Sequence, residues 1–265
     1  MNQGEKNKLS DIHTHILPKF DDGSSKSSES LEMLRSLYEQ GVGRVVATPH
    51  FYASKDEPRA FLSRRDEAES HLAKRLDQLL RINGSIANDG LPTLYIGAEV
   101  EFFNAMSFCP ELDGMCIRGT KYLLVEMPFD KWTGAMLEEL YRLKKKRGIN
   151  PIIAHIDRYF RFFTPGMLDG MISNGILIQC NAEAFLKLGT RGRALQLLDS
   201  GKIHLLGSDC HNMQSRRPRV ADACQVIEKR LGSSPIKRLC KTGEELLACA
   251  EPFWTYTEAK NDEIN

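Results

Sequence analysis

The sequence predicts a parallel α/β barrel, and three observations lead there. Helical segments alternate with short apolar runs, the rhythm that builds βα units and a parallel sheet. Glycines at 41, 148, 175 and 201 stop four of the helices, where a left-handed residue turns the chain back. Six of the seven apolar runs end in His, Asp or Glu, and reactive groups gathered at C-terminal strand ends point to a barrel rather than an open sheet. A length of 265 residues is close to the ~250 typical of one such barrel. Residues 1–265 are therefore expected to form one domain, with motifs over 9–219, a helical part over 220–250 and a frayed tail after Tyr256.

The bulk numbers exclude several classes. Hydrophobic content of 42% and charged content of 27% are ordinary for a globular chain. A net charge of +1 gives no bulk attraction to nucleic acid or membranes, so any anion recognition must be local. Residues Met1 to Lys8 are not followed by a signal-peptide pattern. The sequence has no run of about 18 apolar residues of the kind that could span a bilayer. Seven cysteines with no Cys-X-X-Cys pair argue against a disulfide framework and for a reducing, cytoplasmic location.

The first strand, Leu9 to Ile12, leads into Asp11-Ile12-His13-Thr14-His15. Alternate residues of a strand share a face, so His13 and His15 can aim at one point. A turn-rich loop follows with Asp21-Asp22-Gly23, then a helix capped within Ser27 to Ser30 and stopped by Gly41. Val45 to Ala47 is a strand ending in Thr48-Pro49-His50. From Glu57 to Ile82 a helix buries Phe61, Leu62, Ala68, Leu72, Leu76, Leu79 and Leu80, with alternating charges on its wet face. His71 reads as part of that surface. After a loop from Asn83 to Leu91, Thr93 to Ala98 is a strand delivering Glu99.

Phe102 to Gly119 reads as irregular. Tyr122 to Val125 is a strand ending at Glu126, and a helix from Thr133 to Arg147 finishes in four cations that complement its dipole. Pro151 to Ala154 leads into His155-Ile156-Asp157-Arg158-Tyr159. Helix resumes from Pro165 to Asn174. Ile176 to Cys180 is the sixth strand, followed by Asn181, a short helix and a longer one from Gly192 to Ser200. Ile203 to Gly207 is the seventh, delivering Asp209 and His211; His204 lies inside it and is left out of the site. The stretch from Ala221 to Ala250 reads as helical.

Five imidazoles and four carboxylates thus converge: His13, His15, Asp22, His50, Glu99, Glu126, His155, Asp209 and His211. So many ionisable groups at one barrel mouth need compensation. Bound divalent metals are the natural form of it, and mixed imidazole and carboxylate donors suit zinc, manganese or iron rather than calcium or magnesium.

These motifs, in this order from Leu9 to Arg219, resemble the PHP (polymerase and histidinol phosphatase) superfamily. They are most similar to its bacterial metal-dependent tyrosine-protein phosphatases, encoded with capsule and exopolysaccharide genes. The resemblance implies a distorted TIM-like (β/α)7 barrel, the PHP fold, holding three metals, usually manganese. It further implies one metal on His13, His15, Glu99 and Asp209, a second on Glu99, Glu126 and His155, and a third on Asp22, His50 and His211. Arg158 and Arg216 would bind the phosphate and act in catalysis. The implied partner is a phosphotyrosine protein, a bacterial tyrosine kinase of polysaccharide export. Cys210, where a small residue is common, and Cys180-Asn181-Ala182-Glu183 depart from the usual pattern without removing a ligand.

Charge arithmetic supports a phosphate monoester independently. Three divalent ions against four carboxylates leave a surplus that suits a phosphate dianion. The expected chemistry is in-line attack by a metal-bridging hydroxide. A phenol, with pKa near 10, leaves with less acid help than an alcohol. Phe51, Tyr52, Tyr159, Phe160, Phe162 and Phe163 lie near the motifs and could hold an aromatic ring, although core packing suits most of them.

Three alternatives remain at this level. One is a small-molecule phosphatase of the same superfamily, such as one for histidinol phosphate. Another is a metal-bound structural or regulatory module without turnover. The third is a cysteine-dependent phosphatase, since Cys210 to Arg216 spells Cys-X5-Arg; Cys224 to Arg230 spells it too, and the intervening residues lack loop glycines.

Overall fold

The computed structural model describes residues 9–82 and 90–256. The expectations for Met1 to Lys8, for most of the loop after Ile82, for the Leu80 side chain and for the tail after Tyr256 lie outside these residues. Chain order is β1 (Leu9–Thr14), α1 (Ser27–Glu39), β2 (Val42–Ala47), β3 (His50–Phe51), α2 (Pro58–Ile82), β4 (Thr93–Ile96) and β5 (Glu99–Glu101). Then come α3 (Leu112–Met115), β6 (Tyr122–Glu126), α4 (Gly134–Arg147), β7 (Asn150–Ile153), α5 (Pro165–Ser173) and β8 (Leu177–Asn181). The last elements are α6 (Leu188–Asp199), β9 (Leu205–Gly207), α7 (Val220–Leu231) and α8 (Ser234–Leu247).

Every strand ladder is parallel. Hydrogen-bonded order is β1-β2-β4 in one sheet and β3-β5-β6-β7-β8-β9 in the other. Two expected strands are each broken once, β2 from β3 at Thr48-Pro49 and β4 from β5 at Gly97-Ala98. Proline has no N–H to give a ladder, so the first break follows from Pro49. Neighbouring backbone bonds bridge both gaps, Gly97 N–H to Ala47 O at 2.9 Å and Glu99 N–H to Pro49 O at 3.0 Å. Read through its breaks, the sheet has the seven staves expected.

The circuit closes between β9 and β1. A parallel bridge pairs Thr14 with Cys210. Asp209 N–H donates to His13 O at 2.9 Å, and His15 N–H to Cys210 O at 3.0 Å. The expected distorted barrel is therefore present, pinned shut at the end that carries the histidines.

Local signals explain the helices. Thr133 and Thr164 cap α4 and α5 by accepting the N–H of Met136 and Met167. Gly148 ends α4 at φ 67°, a left-handed conformation that glycine takes without penalty. Leu34, Leu37, Leu72, Leu76, Leu140 and Leu143 are all buried, as their spacing predicts. A small apolar cluster takes Ile12, Val46, Leu124, Ile152 and Leu205 from five strands together with Leu246 and Leu247 of α8; the larger core lies where the other helices pack on the sheet.

Several boundaries differ from expectation, four of them informatively. The helix expected from Gly192 starts at Leu188, its first turn masked in sequence by Gly189 and Gly192, poor helix formers. The stretch from Ala221 to Ala250 is two helices, separated at Gly232 with φ 76°. The segment read as irregular holds a 3-10 turn, Met106–Phe108, and the single turn α3. The last strand begins at Leu205, because His204 lies just before it and its Nδ1 accepts the Ile178 N–H at 3.0 Å. No helix among the described residues is long and apolar enough to cross a membrane.

Candidate metal centre

Each stave delivers its polar group at the same end of the barrel. The breaks after Ala47 and Ile96 lie side by side, so His50 and Glu99 open the resumed strands and pair in register. Glu126 ends β6, His155 follows β7, and Asp209 and His211 follow β9. His155 and Asp209 take positive φ, 29° and 52°. Such backbone is unfavourable for residues with a Cβ and persists where the surroundings enforce it.

The nine expected residues come together. Glu99 is central, its carboxylate 3.0 Å from His13 Nε2, 3.3 Å from His15 Nε2, 3.1 Å from His50 Nδ1 and 2.8 Å from His155 Nε2. Asp209 lies 3.6 Å from His13 and 3.4 Å from His15. Glu126 is 3.5 Å from His155 and 4.0 Å from His50. Asp22, on the exposed first loop, is 3.5 Å from His50 and 3.2 Å from His211. Donor atoms fall into three overlapping groups within 4.8 Å: His15, Asp22, His50 and His211; His13, His15 and Asp209; His50, Glu99 and Glu126. His15 thus approaches the outer group as well as the inner one, and His50 approaches Glu126, contacts that sequence alone did not suggest.

These donors fit divalent cations. The Nε2 atoms of His13 and His15 face each other at 3.2 Å, an arrangement that either a shared proton or a divalent cation satisfies. His50 Nδ1 and His211 Nε2 are buried, each close to a carboxylate oxygen but out of line for a hydrogen bond. Burial opposes ionising Glu99 and Asp209, but the His13 ring and its neighbours outweigh it and hold both carboxyls well below the usual range. Burial likewise opposes charging His155, yet Glu126 and Glu99 raise it to about 9.

Several orienting groups escaped the sequence reading. Asp21 accepts from His15 Nδ1 at 2.8 Å, from the His50 N–H at 3.1 Å and from the Gly23 N–H at 3.0 Å. It fixes one ring and the backbone of the next, as carboxylates behind metal-binding histidines do. Gly23 is required there, because a Cβ would lie 2.3 Å from His15 O. Gln179 Oε1 accepts the His155 N–H and lies 3.4 Å from His13 Nδ1. Asp11 accepts the His13 and Ser208 N–H groups. Asn181 donates to Asp209 at 3.0 Å.

Arg158 and Arg216 both reach Asp209, the first in a close ion pair and the second at 2.8 Å; Arg216 also lies 3.5 Å from Asp22. Of the aromatics considered, Phe51, Tyr159 and Phe163 are buried in the core, and Phe160 and Phe162 pack against it. Tyr52 stacks on His50 with centroids 5.1 Å apart. Phe129, which the sequence reading missed, stacks on His155 at 6.4 Å and leans on Tyr159 at 5.2 Å while 57% exposed. Cys210 is wholly buried, and burial pushes its thiol well above the ordinary value. A nucleophile must be accessible and ionised, so the Cys-X5-Arg alternative falls.

A parallel barrel with imidazoles and carboxylates at its strand tips is the layout of a metal-dependent hydrolase. The chain belongs to the CpsB/CapC family of capsular polysaccharide synthesis, whose pattern matches residues 9–247. It is 32% identical to the tyrosine-protein phosphatase YwqE of Bacillus subtilis (strain 168) over 244 residues, covering 89% of this chain and 91% of YwqE. It is 28% identical over 239 residues to the tyrosine-protein phosphatase CpsB of Streptococcus pneumoniae, covering 86% and 93%. A solved chain from crystal structures of YwqE and CpsB, described as unique metal-dependent tyrosine phosphatases, superposes with a TM-score of 0.77 at 28% identity. That match covers 92% of this chain and 96% of the other.

Proposed function

We propose that the protein hydrolyses phosphotyrosine in proteins, and that its substrate is a bacterial tyrosine kinase regulating capsular or exopolysaccharide synthesis. The carrying observation is the Glu99 carboxylate within 3.3 Å of four imidazole nitrogens in a chain of the CpsB/CapC family. Three divalent ions, manganese by preference, would be held by His13, His15, Glu99 and Asp209; by Glu99, Glu126 and His155; and by Asp22, His50 and His211. Such ions supply positive charge for the phosphate oxygens and lower the pKa of water.

The remaining roles belong to the chain itself. Arg158 and Arg216, now on Asp209, would turn their N–H groups to the phosphate in bidentate fashion. Tyr52 and Phe129, each stacked on a candidate ligand ring, would flank the phenyl ring. The phenolate leaves without a dedicated acid, its pKa near 10 being low for an oxygen leaving group. None of the seven cysteines forms a disulfide, in keeping with a reducing, cytoplasmic setting, with the whole chain acting as one catalytic domain.

The test compares turnover of a phosphotyrosine peptide with that of histidinol phosphate at equal concentration, on protein whose metal content is measured by elemental analysis. Preference for the peptide, lost on chelation, is expected. Dominance of histidinol phosphate, or no turnover by metal-replete protein, would overturn the proposal.

A further inference from the structure

A groove of about 500 Å³ opens from the centre, with Arg158, Ser208, Asp209 and Arg216 in its wall at one end. A phosphate group occupies only a fraction of that space, so most of the groove lies beyond the reacting atoms. It runs past the end of β8 to the start of α6, and its outer wall holds Glu183, Lys187, Arg217 and Arg219. None of these belongs to the metal centre or to the proposed phosphate contacts.

The outer wall carries an uncompensated positive charge. Glu183 is its carboxylate and is shared, at 3.9 Å from Lys187 and 3.6 Å from Arg219. Arg219 is tied a second time, to Asp222 at 2.9 Å. Asp157, also in the lining, is used from within: its Oδ1 accepts the Asn181 N–H at 2.9 Å. Arg217 makes no hydrogen bond or ion pair with any described residue, and it is exposed on the groove wall next to Arg216. A cation so placed, beside an arginine expected on the phosphate, favours an anion a few ångströms from the phosphoryl group.

We infer that this groove is a second substrate subsite, where Arg217, helped by Lys187, binds an acidic side chain flanking the phosphotyrosine. The inference rests on the phosphotyrosine-protein reading. It assigns the protein a sequence preference: an Asp or Glu near the phosphotyrosine is attracted, and a Lys or Arg is repelled by Arg217 and its neighbours. Because the pair is exposed, the preference is modest, about fivefold in kcat/KM, and weakens as salt screens it.

The experiment uses three phosphotyrosine peptides identical except for Glu, Gln or Lys on both sides of the phosphotyrosine, with metal-replete full-length wild type and Arg217→Glu. Wild type should rank them Glu over Gln over Lys at low salt, the spread narrowing at high salt. Arg217→Glu should reverse the ranking, a result that simple loss of activity cannot produce. Equal kcat/KM for all three peptides on wild type overturns the subsite while leaving the phosphatase reading intact, as does an unchanged ranking in Arg217→Glu. Failure to hydrolyse any of them overturns both.

Discussion

His13 and His15 present their Nε2 atoms to one another across 3.2 Å, with Glu99 and Asp209 closing around both rings. A shared proton can join the two nitrogens, but a divalent cation would satisfy both rings and both carboxylates at once, so stability should depend on divalent cations.

Chelation should therefore lower the melting temperature as well as activity. A cation at ~1,000 times its Kd stabilises by about 4 kcal/mol, worth about 10 °C in a chain of this size. Differential scanning fluorimetry with chelator, then with manganese restored, measures this. In His13→Ala the shift should shrink but not vanish, because only the ion proposed on His13, His15, Glu99 and Asp209 loses a ligand; a metal-dependent shift as large as in wild type would count against the shared site.

Asp21 is expected to act on metal through His15. Asp21→Ala should weaken metal binding by about 10- to 100-fold, because the His15 ring and the His50 N–H lose one acceptor. Asp21→Asn, which keeps an acceptor oxygen, should recover much of that loss. Calorimetric titration of the metal-stripped proteins decides; equal affinity in Asp21→Ala and wild type would show that His15 is oriented by something else.

Phe129 bears on substrate choice. Phe129→Ala should raise KM for aryl phosphates about 3- to 10-fold, the worth of an aromatic pair, with little change for an alkyl phosphate. The check is a comparison of p-nitrophenyl phosphate with glycerol phosphate. A parallel rise for both would mean that Phe129 merely supports the His155 loop.

His204 offers a pH test away from the metal centre. Burial lowers its pKa from the ordinary 6.5, and its Nδ1 must stay unprotonated to accept the Ile178 N–H. The unfolded chain therefore binds this proton more readily than the folded one. Stability from the neutral ring is present above about pH 6.5 and is lost as pH falls through the unfolded value toward the lower folded one. His204→Asn keeps an acceptor that does not titrate, so its stability relative to wild type should improve below pH 6.5. Urea midpoints at pH 7.5 and 5.5 give the comparison, and a constant difference would refute the assignment.

The candidate ligands were legible because all but Asp22, which sits on the first loop, stand at or just past the tip of an apolar run, and a parallel barrel brings all such tips together. The staves themselves were legible from the same runs, although Pro49 and Gly97-Ala98 concealed that two are interrupted. Gln179 and Asp21 were not legible. Their importance lies in which ring they touch, and Gln179 meets a histidine 166 residues away in sequence. Phe129 was missed for a different reason: an apolar residue after a strand reads as core, and only the structure shows it exposed on His155. The helix start at Leu188 was hidden by glycines whose poor propensity the packed helix overrides.

The closure of β9 onto β1 also sets the order of events during synthesis. Asp11 reaches Ser208 across 197 residues of chain, and Asp209 and His211 arrive only with that last stave. A nascent chain holds His13, His15, His50 and Glu99 long before it can supply their final partners. On the ribosome, the candidate metal centre is among the last parts to be completed, so partly made chains hold an incomplete donor set.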